Sequence, residues 1–244
     1  MDTKKVIRQH KEMNEFFSGG FTVKGTPRTV AAQTINVAEQ QDSRESQLAA
    51  IAEEVRKCCC CGLGTTRKNA VPGEGYPHAQ IVFVGEAPGG DEDMQGRPFV
   101  GRAGQLLDKI IAAMGLKRQD VFICNVLKCR PPDNRDPKPD EIVSCIHFLE
   151  KQLEIIKPEI IVALGAHAAR TLLKSNDAIG QLRGKFLEYY TASGYGPIKL
   201  MATYHPAYLL RNYSDDNRRR VWEDMQKVMR ELGMPVSKGG KQSS

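Results

Sequence analysis

Ile81-Val82-Phe83-Val84-Gly85-Glu86-Ala87-Pro88-Gly89 sets an apolar run against a loop of small, polar and turn-forming residues. Such a run, apolar on both of its alternating faces, is what a parallel strand covered on both sides of its sheet requires. Two more runs share the pattern, Val121-Phe122-Ile123-Cys124 and Ile160-Ile161-Val162-Ala163-Leu164. Between them lie segments of helical period. Ala103 to Met114 carries Leu106, Leu107, Ile110 and Ile111 on one side, and Asp140 to Ile156 carries Ile142, Ile146, Leu149 and Leu153. Strand, helix, strand, helix, strand implies right-handed crossovers and an α/β fold, a three-layer α/β/α sandwich. Lys199 to Thr203 reads as the fourth strand of a mainly parallel four-stranded sheet, with Lys185 to Tyr190 a candidate for edge pairing. Asp215 to Leu232 closes the fold as a helix with Val221, Trp222, Met225, Val228 and Met229 inward.

Outward from this core the organisation is simple. With 244 residues and 41% hydrophobic content the chain can bury one good core plus appendages. Residues 43–233 form the expected domain, opened by a helix near Ser43 on which Leu48, Ile51, Ala52 and Val55 recur at helical spacing. Residues 1–42 read as an extension, a short helix over 2–17 followed by a polar, aperiodic linker, and 234–244 as a disordered tail. For the extension two readings stand open, recruitment of a replication partner such as a sliding clamp and a mobile tail that merely trails. No apolar stretch reaches the roughly 20 residues of a membrane helix, and Met1-Asp2-Thr3-Lys4-Lys5 lacks the apolar core of a signal peptide, so the expected location is cytoplasmic and nucleoid-associated. A formal net charge of +6, with Arg218-Arg219-Arg220 among the basic clusters, suits a polyanionic partner. Monomer is the default state.

Polar motifs end the apolar runs, and in an open parallel sheet ligands sit beyond the carboxyl ends of the strands. Gly85 to Gly89 follows the first, Asn125 the second, and His205-Pro206-Ala207-Tyr208-Leu209-Leu210-Arg211 the last. An Asn amide can pair with a ligand edge bearing adjacent N–H and C=O groups, as a pyrimidine does. A His can donate to an oxygen on which negative charge develops. Each has a structural alternative: Glu86 as a turn cap, Asn125 in an Asx-turn, His205 as the cap of a short helix.

The chain resembles the family 4 uracil-DNA glycosylases, the iron-sulfur class, from about Cys58 to Asn212. The resemblance is carried by Gly85 to Gly89, by Gly96-Arg97-Pro98-Phe99-Val100-Gly101-Arg102-Ala103-Gly104, by Asn125-Val126-Leu127-Lys128-Cys129-Arg130-Pro131-Pro132 and by the His205 to Arg211 motif. It implies the same sandwich fold and a monofunctional enzyme of base excision repair, which releases flipped-out uracil from single- or double-stranded DNA and leaves an abasic site. By position it implies that Phe99 stacks on the base, that Asn125 pairs with its polar edge, and that His205 contacts its O2. Glu92 would fence off the 5-methyl group of thymine, and the Glu86-Ala87 turn would line the water site. Better-known uracil glycosylases carry an acid where Ala87 stands, which leaves Glu86 as the candidate base. Arg102, Arg130, Arg135 and Arg211 are the expected DNA contacts, with Leu209 or Leu210 as a wedge in the vacated base position. If about five phosphates are neutralised, log K falls with log salt at a slope near −4.5.

Seven cysteines in a reducing compartment point to metal binding or burial rather than to a disulfide framework. The spacing Cys58-x-x-Cys61, then Cys129, then Cys145, is compatible with a structural zinc or an iron-sulfur cluster, and spacing alone favours zinc. The resemblance implies a [4Fe-4S] cluster on these four. Cys59 and Cys60 fill the intervening positions and leave the register open by one residue, while Cys124, inside a strand, reads as a small buried hydrophobe. Two rival functions share the fold or the cofactor. One is a tight or covalent uracil-DNA binder, disfavoured because Arg130 to Arg135 continues without a basic, His-containing insertion. The other is a non-catalytic iron-sulfur module that binds nucleic acid or senses redox state, disfavoured by the intact Phe99, Asn125 and His205.

Overall fold

The computed structural model describes residues 37–236, with side chains from Ser43 onward. The helix expected over 2–17, most of the linker, and the tail beyond Val236 lie outside the described residues. Residues Met234 and Val236 pack, partly buried, against the core.

The sheet has six strands: β1 (Glu74–Gly75), β2 (Ile81–Gly85), β3 (Phe122–Asn125), β4 (Ile160–Leu164), β5 (Phe186–Tyr189) and β6 (Ile198–Thr203), in the order β1-β3-β2-β4-β6-β5. The four central strands run parallel, as the apolar runs require, and β1 and β5 pair antiparallel at the two edges. The expected four-stranded sheet is therefore extended by an edge strand on either side. Glu74-Gly75 is too short to leave a periodic signal, whereas β5 falls within the segment proposed for edge pairing.

Alternation along the strands divides the core. Ile81, Phe83, Ile123, Ile160, Val162 and Met201 face a layer built from α4 (Arg102–Ala113) and α9 (Asp215–Glu231). Val82, Val84, Phe122, Cys124, Ile161, Ala163, Leu200 and Ala202 face α5 (Pro139–Ile156) and α6 (Ala166–Leu173). Cys124 is fully buried in this second layer, with burial pushing its thiol pKa up. A third, smaller cluster joins α1 (Val37–Lys57) and α2 (Leu63–Thr66) to α5 through Ile51, Val55, Leu63, Cys129, Cys145 and Phe148.

Chain order fixes where a ligand can enter. From β2 the chain crosses to β3 on one side and then to β4 on the other, so the loops leaving β2 and β4 diverge at their carboxyl ends. Gly85 pairs with Asn125, and Leu164 with Thr203, so all four parallel strands end at nearly one level. The short helices α3 (Gly90–Gln95), α7 (Ile179–Leu182) and α8 (Pro206–Arg211) complete the fold.

Candidate functional site

Above those strand ends opens a cleft of about 740 Å³ whose lining includes Glu86, Ala87, Glu92, Phe99, Asn125 and His205. Three loops thus bring together the residues expected to handle the base. Arg135 and Arg211 line it as well, with Asp136, His167, Tyr204 and Tyr208.

Asn125 ends β3 only 2% exposed, and its Oδ1 is buried without a hydrogen bond from any of the described residues. An acceptor left unmade in a buried site costs about 1–3 kcal/mol, a cost that a donor on a bound ligand removes. The amide is therefore not holding its own loop in an Asx-turn. That loop is held from elsewhere: Val126 and Leu127 donate their N–H groups to the carbonyls of Gly85 and Glu86 at 2.9 Å each. Beneath it lies Lys128, 1% exposed, whose ammonium donates to the Asn125 carbonyl at 2.9 Å and to Gln152 Oε1 at 2.7 Å. The Gln152 amide in turn donates to the Pro72 carbonyl at 2.9 Å.

Phe99 lies 6% exposed, its ring centroid 5.7 Å from that of His205. Its backbone adopts φ 50°, a left-handed conformation rare for a bulky residue. Two features hold it there. Arg118 donates to the carbonyls of Pro98 and Phe99 while pairing with Asp108 and Glu74, and Gly104 leaves room for the loop. A Cβ on Gly104 would stand 1.9 Å from the Phe99 carbonyl oxygen. Gly85 is constrained from the other side, since a Cβ there would lie 2.3 Å from Asn125 Oδ1 and 2.6 Å from Phe99 Cζ. Apolar β2 thus ends in glycine because the side chains of Asn125 and Phe99 cross its last residue.

Glu92 lines the cleft, but both of its carboxylate oxygens are committed. Oε1 accepts from Val100 N–H at 2.9 Å and Gly101 N–H at 3.0 Å, and Oε2 from Gly89 N–H at 3.1 Å. It ties the β2 loop to the Phe99 loop, a part that its position in the sequence did not disclose.

His205 caps α8 through Nδ1, which accepts the Ala207 N–H at 3.0 Å. The cap expected as the structural alternative for this residue is therefore present. Burial, aided by Arg211, lowers its pKa to about 4, so the ring is neutral at physiological pH. With Nδ1 occupied as an acceptor, the single proton belongs on Nε2. The cap thus leaves the ring one donor to offer.

Glu86 is pushed toward the protonated form by burial; His167 opposes that push and Asp136 reinforces it. One ligand-type atom from each of these three residues lies within 4.8 Å of those from the other two. Neither Asp136 nor His167 was found by sequence reading, because only the folded loops bring them to Glu86.

The proposed DNA contacts separate into two sets. Arg102 and Arg211 are exposed, and Arg130 is half-buried with its Nε donating to Asn134 Oδ1 at 2.9 Å. Arg135 is engaged internally, forking onto the buried Glu141 at 2.9 and 2.5 Å. Leu209 is 1% exposed in the core and is not placed to act as a wedge; α8 turns it inward, leaving Leu210 half-buried and Tyr208 exposed at the cleft. The Arg218 to Arg220 run, read as a cue for a polyanion, is compensated within its own helix. Arg218 pairs with Asp215, and Arg219 and Arg220 pair with Asp216.

Cys58, Cys60, Cys61, Cys129 and Cys145 line one small cavity between α1, α2, the loop after β3 and α5. Cys58 and Cys61 are half-buried against Cys129 and Cys145, whereas Cys59 and Cys60 are exposed. Arg67 brings positive charge to the cavity, donating to Cys129 Sγ at 2.9 Å and to the Val55 and Cys58 carbonyls. Thiols from three separate segments converging on one cavity are donors of the soft type that either a structural zinc or an iron-sulfur cluster takes.

The profile described as "Uracil DNA glycosylase superfamily" matches residues 72–226. A type-4 uracil-DNA glycosylase of Thermotoga maritima is 48% identical over 187 residues, 76% of this chain and 95% of that protein. One from Saccharolobus solfataricus is 50% identical over 188 residues, 75% of this chain and 85% of its own length. A type-5 uracil-DNA glycosylase of Pyrobaculum aerophilum is more distant, 34% identical over 154 residues. The sandwich, the cleft at its strand ends and these likenesses agree, and the chain belongs to the uracil-DNA glycosylase superfamily, with its near relatives in the type-4 family.

Proposed function

We propose that this protein is a monofunctional DNA glycosylase of base excision repair, hydrolysing the N-glycosidic bond of flipped-out uracil in DNA to leave an abasic site. The observation that carries the reading is the buried, unpartnered Asn125 Oδ1 in the floor of a cleft flanked by Phe99 and His205. Uracil N3–H is a donor for that oxygen, and uracil O4 accepts from Nδ2 of the same amide. Phe99 offers a face for the ring. His205 meets O2 with its Nε2–H, a neutral donor that strengthens its bond as the base departs as an anion; one such donor is worth about 3–4 kcal/mol in the transition state. Cleavage is largely dissociative, the bonding pair leaving with uracil N1 while water adds to C1′. Glu86, half-buried in the lining of the same cleft, would take the water proton.

Cys58, Cys61, Cys129 and Cys145 would hold the [4Fe-4S] cluster. When bound it supplies a four-point thiolate cross-link between α1, the loop after β3 and α5. Of that set, Cys129 follows Lys128 directly, and Cys145 Sγ accepts the Lys128 N–H at 3.2 Å, so the cross-link would brace the loop that carries Asn125. Arg102, Arg130 and Arg211 would meet phosphates along the cleft rim.

The test is an end-labelled oligonucleotide bearing one uracil, run beside thymine and hypoxanthine controls, with and without alkali. Strand cleavage at uracil only after alkali is the expected result. Cleavage without alkali would indicate a lyase, and a stable protein–DNA adduct without turnover would favour the covalent binder.

A further inference from the structure

Glu86, Asp136 and His167 come from three different segments, the loop after β2, the loop before α5 and the first turn of α6, yet their ligand-type atoms all lie within 4.8 Å of one another. His167 Nε2 stands 3.7 Å from Asp136 Oδ1. All three line the same cleft as Asn125 and His205. We propose that Asp136 and His167 are positioning residues that govern Glu86, Asp136 aiming the His167 ring and His167 holding the Glu86 carboxylate ready for the hydrolytic water. The proposal rests on the glycosylase reading above.

In the step they serve, the C1′–N1 bond breaks with its electron pair going to uracil, a water oxygen bonds to C1′, and the water proton passes to a Glu86 oxygen. Glu86 must therefore be ionised at the start. Burial works against that, Asp136 adds to the difficulty, and His167 relieves it. The other charged or titratable groups lining the cleft are Glu92, Arg135, Tyr204, His205, Tyr208 and Arg211. Glu92 is engaged by three backbone N–H groups, Arg135 by Glu141, and His205 Nδ1 by Ala207. Asp136 and His167 are both exposed, so substituting them spares the core.

The experiment is single-turnover uracil release from a single-stranded oligonucleotide, enzyme in excess, across about pH 4.5 to 8.5. A base active only when ionised gives a rate that falls on the acid side. Removing the cation in His167→Gln moves that acid limb to higher pH, and removing the anion in Asp136→Asn moves it lower, each by about 0.5 units or more. In a Glu86→Gln background, where residual release is slower, neither substitution moves the profile. A limb that stays fixed in both single variants, or shifts that persist without Glu86, overturns the proposal; persistent shifts would belong to His205. Failure of the unsubstituted protein to release uracil at any pH would instead overturn the glycosylase reading itself.

Discussion

At Gly85 a single missing Cβ decides whether Asn125 and Phe99 can both cross the end of β2. Gly85→Ala would place a methyl 2.3 Å from Asn125 Oδ1 and 2.6 Å from Phe99 Cζ, so one of the two must move. The expected outcome is a fall of about 100-fold in single-turnover uracil release, since small misplacements at a reacting centre have costs of that order. His205 separates two roles in one ring. His205→Asn retains a side-chain oxygen able to cap α8 but loses the Nε2–H donor, so melting temperature at pH 7.5 should barely change while uracil release drops about 100-fold. The same variant tests the acid sensitivity of the fold. His205 has a folded pKa of about 4, below its ordinary 6.5, so the unfolded chain binds the extra proton and this residue's contribution to stability is lost as pH falls from 6.5 toward 4. A melting series over that window should decline less steeply in His205→Asn.

The parallel strands and the long helices were legible from the sequence because each is a long periodic or wholly apolar signal. The edges were not. Two-residue β1 has no pattern, and β5 is only partly buried. The helix expected to open near Ser43 begins at Val37 instead, since Asn36 to Gln41 carries no apolar spacing strong enough to mark it. The α1 element also bears on the cysteine register. Cys58 and Cys61 face Cys129 and Cys145, whereas Cys59 is exposed with its Sγ turned to the Lys57 carbonyl at 3.6 Å. Iron content and the visible absorbance of a cluster should therefore survive Cys59→Ser and be largely lost in Cys58→Ser and Cys61→Ser. Equal loss in all three would mean that the register is different.

Across the whole molecule, net charge was a weaker guide than it first seemed. The sum of +6 is carried partly by arginines that the fold spends on itself: Arg118 on the Phe99 loop, Arg135 on Glu141, and Arg218 to Arg220 on Asp215 and Asp216. Of the four arginines proposed to contact DNA, three remain available, which lowers the expected phosphate count from about five to about four and the slope of log K against log salt from −4.5 to about −3.6. Titrations of binding at several salt concentrations read that slope directly. Sequence brought out Glu86, Glu92, Phe99, Asn125 and His205, which line one cleft, because they stand in local motifs near strand ends. It missed Lys128, Arg118, Asp136 and His167, whose parts arise from contacts between distant segments. The proposed glycosylase chemistry depends on Asn125, whose buried Oδ1 no donor among the described residues satisfies. The direct measurement compares Asn125→Ala with the unsubstituted protein in single-turnover uracil release and in affinity for a uracil-containing oligonucleotide. The predicted result is a loss of 100-fold or more in rate with affinity nearly unchanged, because backbone contacts outside the cleft hold the DNA. Full-rate release by Asn125→Ala would contradict it.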